Sequence, residues 1–108
     1  MNREIKFRFW IEHSKFMTEP ITLDKIFDYQ DQVLNNITMR FIDQKDKHNK
    51  EIYEGDILRN PEGKKGVVEF FDGSFCLKSN GFYVLNYGFL KNKEVIGNIY
   101  ENPELLTI

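Results

Sequence analysis

The sequence has a single cysteine, Cys76, so the chain cannot close a disulfide on itself, which suits a reducing compartment. No stretch approaches the roughly 18 consecutive apolar residues that a bilayer crossing needs. The opening "MNREIKFRFW" mixes charges with aromatics where a secretory signal requires an unbroken apolar run. No sign of charge dominates either. Fifteen Lys/Arg face 17 Asp/Glu, with nine against ten in residues 1–54 and six against seven in residues 55–108. A net charge of −2 spread this evenly excludes a long-range field that would gather DNA or an anionic membrane. The expectation is an intracellular, soluble protein with no membrane partner.

Chemical motifs are equally scarce. His13, His48 and Cys76 are scattered, with no CxxC or HExxH, so no metal site is expected. Cys76 lies inside an apolar run with no glycine elbow before it, which reads as an inert buried thiol rather than a nucleophile. "NPEGKKG" has two glycines and two lysines without the spacing of a phosphate-cradling loop. No cofactor is expected, and no catalytic residue.

What the chain does have is aromatic side chains: ten Phe, five Tyr and one Trp in 108 residues. Each buries on the order of 150–250 Å², so a few clusters supply a core although the apolar share is only 41%. The length fits one domain over residues 1–108, without room for a second core.

Period-two alternation runs through much of the chain. In "EIKFRFW", Ile5, Phe7 and Phe9 share one face, with Lys6, Arg8 and Trp10 on the other; Trp10 is expected at the edge of the core. "IEHSKFMTEP" reads as a turn followed by a short extended piece. Residues 21–36 fit two patterns. Thr22 can cap a short helix near 22–30 with Leu23, Ile26, Phe27 and Gln30 on one stripe, and the same letters also alternate as a strand. "NITMRFI" gives a strand with Ile37, Met39 and Phe41 on one face. "GVVEFF", "SFCLK" and "FYVLNY" are three further strands, joined at Asp72-Gly73 and at Ser79-Asn80-Gly81. In "EVIGNIY", Gly97 marks a bulge or a close backbone approach. "ENPELL" places Asn102 as N-cap, Pro103 at the first helical position and Glu104 in the first turn, with Leu105 and Leu106 clamping that turn down. The fold class is mainly β, with a β-rich α+β alternative. The architecture expected is a small curved β-barrel, SH3-like or sandwich domain, with one short helix near 22–30 and a C-terminal helical turn.

Three groups of residues are candidates for function. Glu54 and Asp56, two apart on extended chain, would share a face as acid–base carboxylates can, but Gly55 between them indicates a bend whose Asp bonds its own turn. The structural reading is preferred. Arg59, Lys64 and Lys65 form the one local basic concentration, which suits an RNA- or DNA-binding barrel if aromatics lie beside it. The exposed side of "FYVLNYGFL", through Tyr83, Leu85 and Tyr87, is the candidate protein-binding surface.

Three stretches, "REIKFRFW" at 3–10, "KDKHNKEIYEGDIL" at 45–58 and "EVIGNIYENPELL" at 94–106, resemble the YopX family of phage and prophage proteins in order and spacing. The resemblance makes Tyr53, Glu54, Gly55, Asp56, Gly97, Asn98, Asn102 and Pro103 family-motif residues with a structural role. It implies a β-rich, phage-encoded protein of the host cytoplasm that self-associates, and it carries no catalytic residues. The chain departs from the family pattern at Ile42-Asp43, where a Thr-Gly step is common, and at His48-Asn49, where Asn-Gly is common. Asn49 tolerates left-handed φ and can keep that turn. The expected function is therefore a non-catalytic phage or prophage accessory module. It would bind itself or a phage or host protein; nucleic-acid binding is the alternative, and a Glu54/Asp56 hydrolase is third.

Overall fold

The alternating runs become two antiparallel sheets of five strands each in the computed structural model, which describes residues 4–29 and 36–106. The first sheet is built around β1 (Lys6–Ile11) and β4 (Ile37–Lys45). On it lie β2 (Phe16–Met17), β3 (Ile21–Thr22) and β5 (Glu51–Tyr53). The second runs in the order β10 (Glu94–Asn98), β6 (Asp56–Arg59), β7 (Lys65–Phe71), β8 (Ser74–Lys78), β9 (Phe82–Val84). The mainly-β expectation is met, in a curled, barrel-like arrangement.

Both faces of the central strands are covered, which the simple alternation does not convey. Phe9 and its neighbour Trp10 are both buried on β1, as are Phe41 and Ile42 on β4. Ile42 joins Ile52, Leu58, Val68, Leu77 and Leu90 in a core shared by the two sheets. Phe41 joins Met39 and Tyr53 in a second cluster, against which Tyr100 packs. Trp10 stacks on Tyr100, ring centroids 6.2 Å apart, and donates its indole N–H to Glu12 at 2.6 Å. It sits at the core edge as expected.

The turns follow their residues. Asp72 (φ 52°) and Gly73 (φ 84°) form the two-residue β7–β8 hairpin, flanked by the Phe71–Ser74 pair. Asn80 and Gly81 take positive φ in the β8–β9 turn, and Asn49 (φ 66°) keeps its own. Asp43 stands at φ 62°, where the family pattern commonly has glycine, and there the β4–β5 register shifts.

Residues 21–36 divide. Ile21–Thr22 pairs with β1, and Leu23–Tyr29 is a 3₁₀ helix, so the short helix near 22–30 is present. The Thr22 hydroxyl donates to the Asp24 carboxylate. Gln30, also assigned to the helical stripe, lies outside the described residues. One expectation fails: "FYVLNY" is not a strand throughout. β9 ends at Val84, and Asn86 caps a single α-helical turn, α1 (Tyr87–Leu90), accepting the Phe89 N–H at 2.9 Å. A short Asn cap outweighs two more alternating residues, because Leu90 then reaches the core.

Candidate functional site

The Tyr53-Glu54-Gly55-Asp56 corner is the hinge by which the chain passes from one sheet to the other. Gly55 (φ +85°) donates its N–H to Val68 O at 2.8 Å, and its carbonyl accepts the Ile99 N–H at 2.9 Å. A side chain there would meet Met39 and Tyr100. Glu54 grips Arg40 through two side-chain bonds, Oε1 to Nε at 2.6 Å and Oε2 to Nη2 at 2.9 Å, and also accepts the Arg40 N–H. Asp56 is buried, pairs with Arg8 of β1 and accepts the Tyr53 N–H at 2.8 Å. Burial pushes the Asp56 carboxyl up to about 6, while Arg8 and the Tyr53 N–H pull it the other way. Each of the two tempting carboxylates is thus held by its own arginine. Arg8 and Arg40 gave no signal in the sequence beyond standing opposite apolar faces.

The polar turn after β4 has an organiser that sequence reading passed over. Asp46 accepts the N–H groups of His48 (2.8 Å), Lys50 (2.9 Å) and Val95 (2.8 Å), fastening the turn to β10. An Asp opening a polar turn was the available signal. At the far end of β10, the register shift between Val95 and Gly97 is the expected bulge. Gly97 also meets the expected close approach, since a Cβ there would lie 2.6 Å from Asn102 Oδ1. Asn102 does not cap forward as anticipated. Its side chain turns back to accept the Asn98 N–H at 3.2 Å, and its backbone carbonyl takes the Leu105 N–H at 3.1 Å. Asn98, buried, caps the intervening turn by accepting the Tyr100 and Glu101 N–H groups at 3.0 and 2.8 Å. Pro103 then opens the expected helical turn, a 3₁₀ turn over Pro103–Leu106.

The basic trio is split. Arg59 turns to Glu94, which also lies 3.3 Å from His48. Lys64 and Lys65 instead line a cleft of about 580 Å³ with Asn60, Leu77, Ser79, Tyr83, Phe89 and Lys93. The aromatics that sequence could not place beside the lysines are there.

The proposed aromatic surface is split as well. Tyr83 and Tyr87 are exposed, while Leu85 packs against the shared core. Tyr83 stacks on Phe89 with centroids 6.0 Å apart. Its neighbours Phe82 and Val84 point to the opposite face, where Phe82 stacks on Phe71 across the intervening β8, centroids 4.1 Å apart. Phe71 and Phe82 were legible only as alternating residues. Among the described residues, no group of three or more His, Cys, Asp or Glu is placed to hold a metal, and no helix is long and apolar enough to cross a membrane.

Comparison with solved structures finds the crystal structure of protein EF1440 from Enterococcus faecalis, with a TM-score of 0.72 and 23% identity, covering 97% of this chain and 99% of that one. The two share a fold. Comparison with curated proteins yields no match. The YopX protein family matches residues 7–107, nearly the whole length, including the corner, the Asp46 turn and the Gly97–Pro103 segment. The chain belongs to the YopX family.

Proposed function

We propose that this chain is a non-catalytic phage or prophage accessory protein of the host cytoplasm that acts by binding protein. Its first partner is a second copy of itself, meeting it at the edge of the second sheet. The observation that carries this reading is β9. It is an edge strand whose three residues, Phe82, Tyr83 and Val84, are all exposed. Native edges are often blunted by lysine, proline or a bulge, and this one has none of those, only its shortness of three residues.

The outward face beside that edge carries Phe71, Phe82 and Val84, each about half exposed or more. Together they offer on the order of 300 Å² of apolar surface, the size at which a patch on a monomer acquires meaning. The nearby charges Lys78 and Glu69 stand 4.0 Å apart and offset each other, so two copies would meet without like-charge repulsion. An interface of this size falls short of the roughly 800 Å² per partner of a tight complex, and a weak, concentration-dependent dimer is expected. The non-catalytic part rests on Glu54 and Asp56, which are committed to Arg40 and Arg8.

Sedimentation velocity across a concentration series tests the reading. A rising mass that returns to monomer in Phe82→Ser/Val84→Ser, with an unchanged circular dichroism spectrum, is the expected result. A chain that stays monomeric up to millimolar concentration, or a dimer indifferent to the double change, overturns it.

A further inference from the structure

We propose that the cleft between the β6–β7 loop and α1 is a binding site for a base-plus-phosphate unit, presented by single-stranded nucleic acid. Four short segments between residues 60 and 93 build it. Asn60 shapes the loop, its side chain accepting the Lys64 N–H at 2.8 Å and its carbonyl the Gly63 N–H at 2.9 Å. That loop sets Lys64 and Lys65 on one wall. Ser79 ties the neighbouring β8–β9 turn to it by donating to Lys65 O at 2.8 Å. Tyr83 of β9 and Phe89 of α1 make the aromatic wall, and Lys93 reaches over the Phe89 ring, 4.1 Å from its centroid.

Charge sets this cleft apart. Three lysines line it and no carboxylate does, on a chain whose net charge is −2. Three other surface clefts each mix both signs. Lys65 and Lys93 are steadied by neutral oxygens, Leu105 O at 2.7 Å for the first and Phe89 O at 3.1 Å and Asn92 Oδ1 at 2.7 Å for the second. The Lys65 ammonium extends to Leu105 O on the Phe71 face of β7, outside the cleft, while neutral partners orient the Lys93 ammonium without cancelling its charge, so Lys64 and Lys93 are the cations available to phosphate. Lys64 has no ion-pair partner among the described residues. Tyr83 is 48% exposed, with one face resting on Phe89 and the rest of its surface open. A positive groove beside an aromatic platform is how proteins hold single strands: the ring stacks a base while cations follow the backbone. The volume lies within the range that encloses a small ligand. A duplex hides its base faces and cannot stack on Tyr83.

Fluorescence anisotropy at 50 mM salt with labelled octauridylate tests this, using an octamer duplex, uridine monophosphate and inorganic phosphate as competitors. The single strand is expected to bind and the duplex to compete poorly. With two phosphate contacts, log affinity should fall against log salt with a slope of about −1.4. Tyr83→Ala should weaken binding roughly 5- to 150-fold, with Tyr83→Phe near wild type. Lys64→Gln/Lys93→Gln should weaken it by about tenfold or more at low salt. Arg59→Gln, outside the cleft, and Phe82→Ser, on the opposite face, should leave it unchanged. Displacement by uridine monophosphate assigns the site to the single nucleotide unit, and displacement by phosphate alone removes the role of Tyr83 and overturns the proposal. Equal binding of duplex and single strand overturns it, as does binding that survives the two-lysine change.

Discussion

Asp56 is an acid whose burial disfavours its charge, and this has a consequence for stability. Its carboxyl sits at about 6 in the folded protein, against an ordinary value of 3.8. The folded state therefore holds a proton between those values that the unfolded chain has released. The stability associated with that proton is fully present below pH 3.8 and is lost as pH rises through 6, about 3 kcal/mol in all. Carboxyl NMR should show Asp56 titrating near 6, and Asp56→Asn should flatten the fall in unfolding free energy over that window. A midpoint below 4 would sink this account. Gly97 makes a second residue-scale case. Any Cβ there runs into Asn102 Oδ1 and Leu105 Cδ1, both closer than 3 Å. Gly97→Ala should cost about 1–3 kcal/mol in urea unfolding, the usual penalty of overpacking; a change within a few tenths would mean that the C-terminal turn yields freely.

At the level of elements, what could be read in the sequence was whatever local geometry decides. Asp72-Gly73 and Asn80-Gly81 need left-handed backbone within two residues, so their hairpins could be placed without knowing the rest of the fold. The bulge at Gly97 was legible from the glycine itself, although close approach of Asn102 and not positive φ is what requires it. α1 was not, because "FYVLNY" keeps alternating while Asn86 supplies a cap four residues before Leu90 enters the core. The cleft was half legible: Lys64 and Lys65 stood out as a basic pair, but Tyr83, Phe89 and Lys93 reach them only through strand pairing. The Asp46 turn shows the same limit, since its bond to the Val95 N–H spans 49 residues. Asp46→Ala removes the acceptor for three backbone N–H groups, two in an exposed turn and one on β10. It should cost about 2–3 kcal/mol and speed hydrogen exchange at Val95 and Lys50 before the β7–β8 amides. Uniform exchange across the molecule would show that the turn does not open on its own.

Across the whole molecule, two arginines of the first sheet hold the second, and their environments set them apart. Arg40 is 43% exposed at its side chain; it meets Glu54 and lies 4.5 Å from the centroid of the Phe70 ring. Arg8 is mostly buried, lies over Tyr53 and faces an Asp56 carboxylate that is 1% exposed. Solvent screens the first pair, so Arg40→Met should cost about 1 kcal/mol, with little dependence on pH between 5 and 8. Removing Arg8 leaves a buried carboxylate without its cation, a change that costs about 3–5 kcal/mol where the acid is ionised. Loss of that cation also raises the Asp56 carboxyl further, so the acid takes up a proton and much of the penalty disappears at lower pH. Arg8→Met should therefore be severely destabilised at pH 8 and substantially recovered at pH 5, opposite to the acid sensitivity of a protein held by exposed ion pairs. Urea unfolding of both variants at the two pH values decides it. Equal penalties at Arg8 and Arg40, or an Arg8→Met penalty that ignores pH, would mean that apolar packing rather than the Arg8–Asp56 pair joins the two sheets.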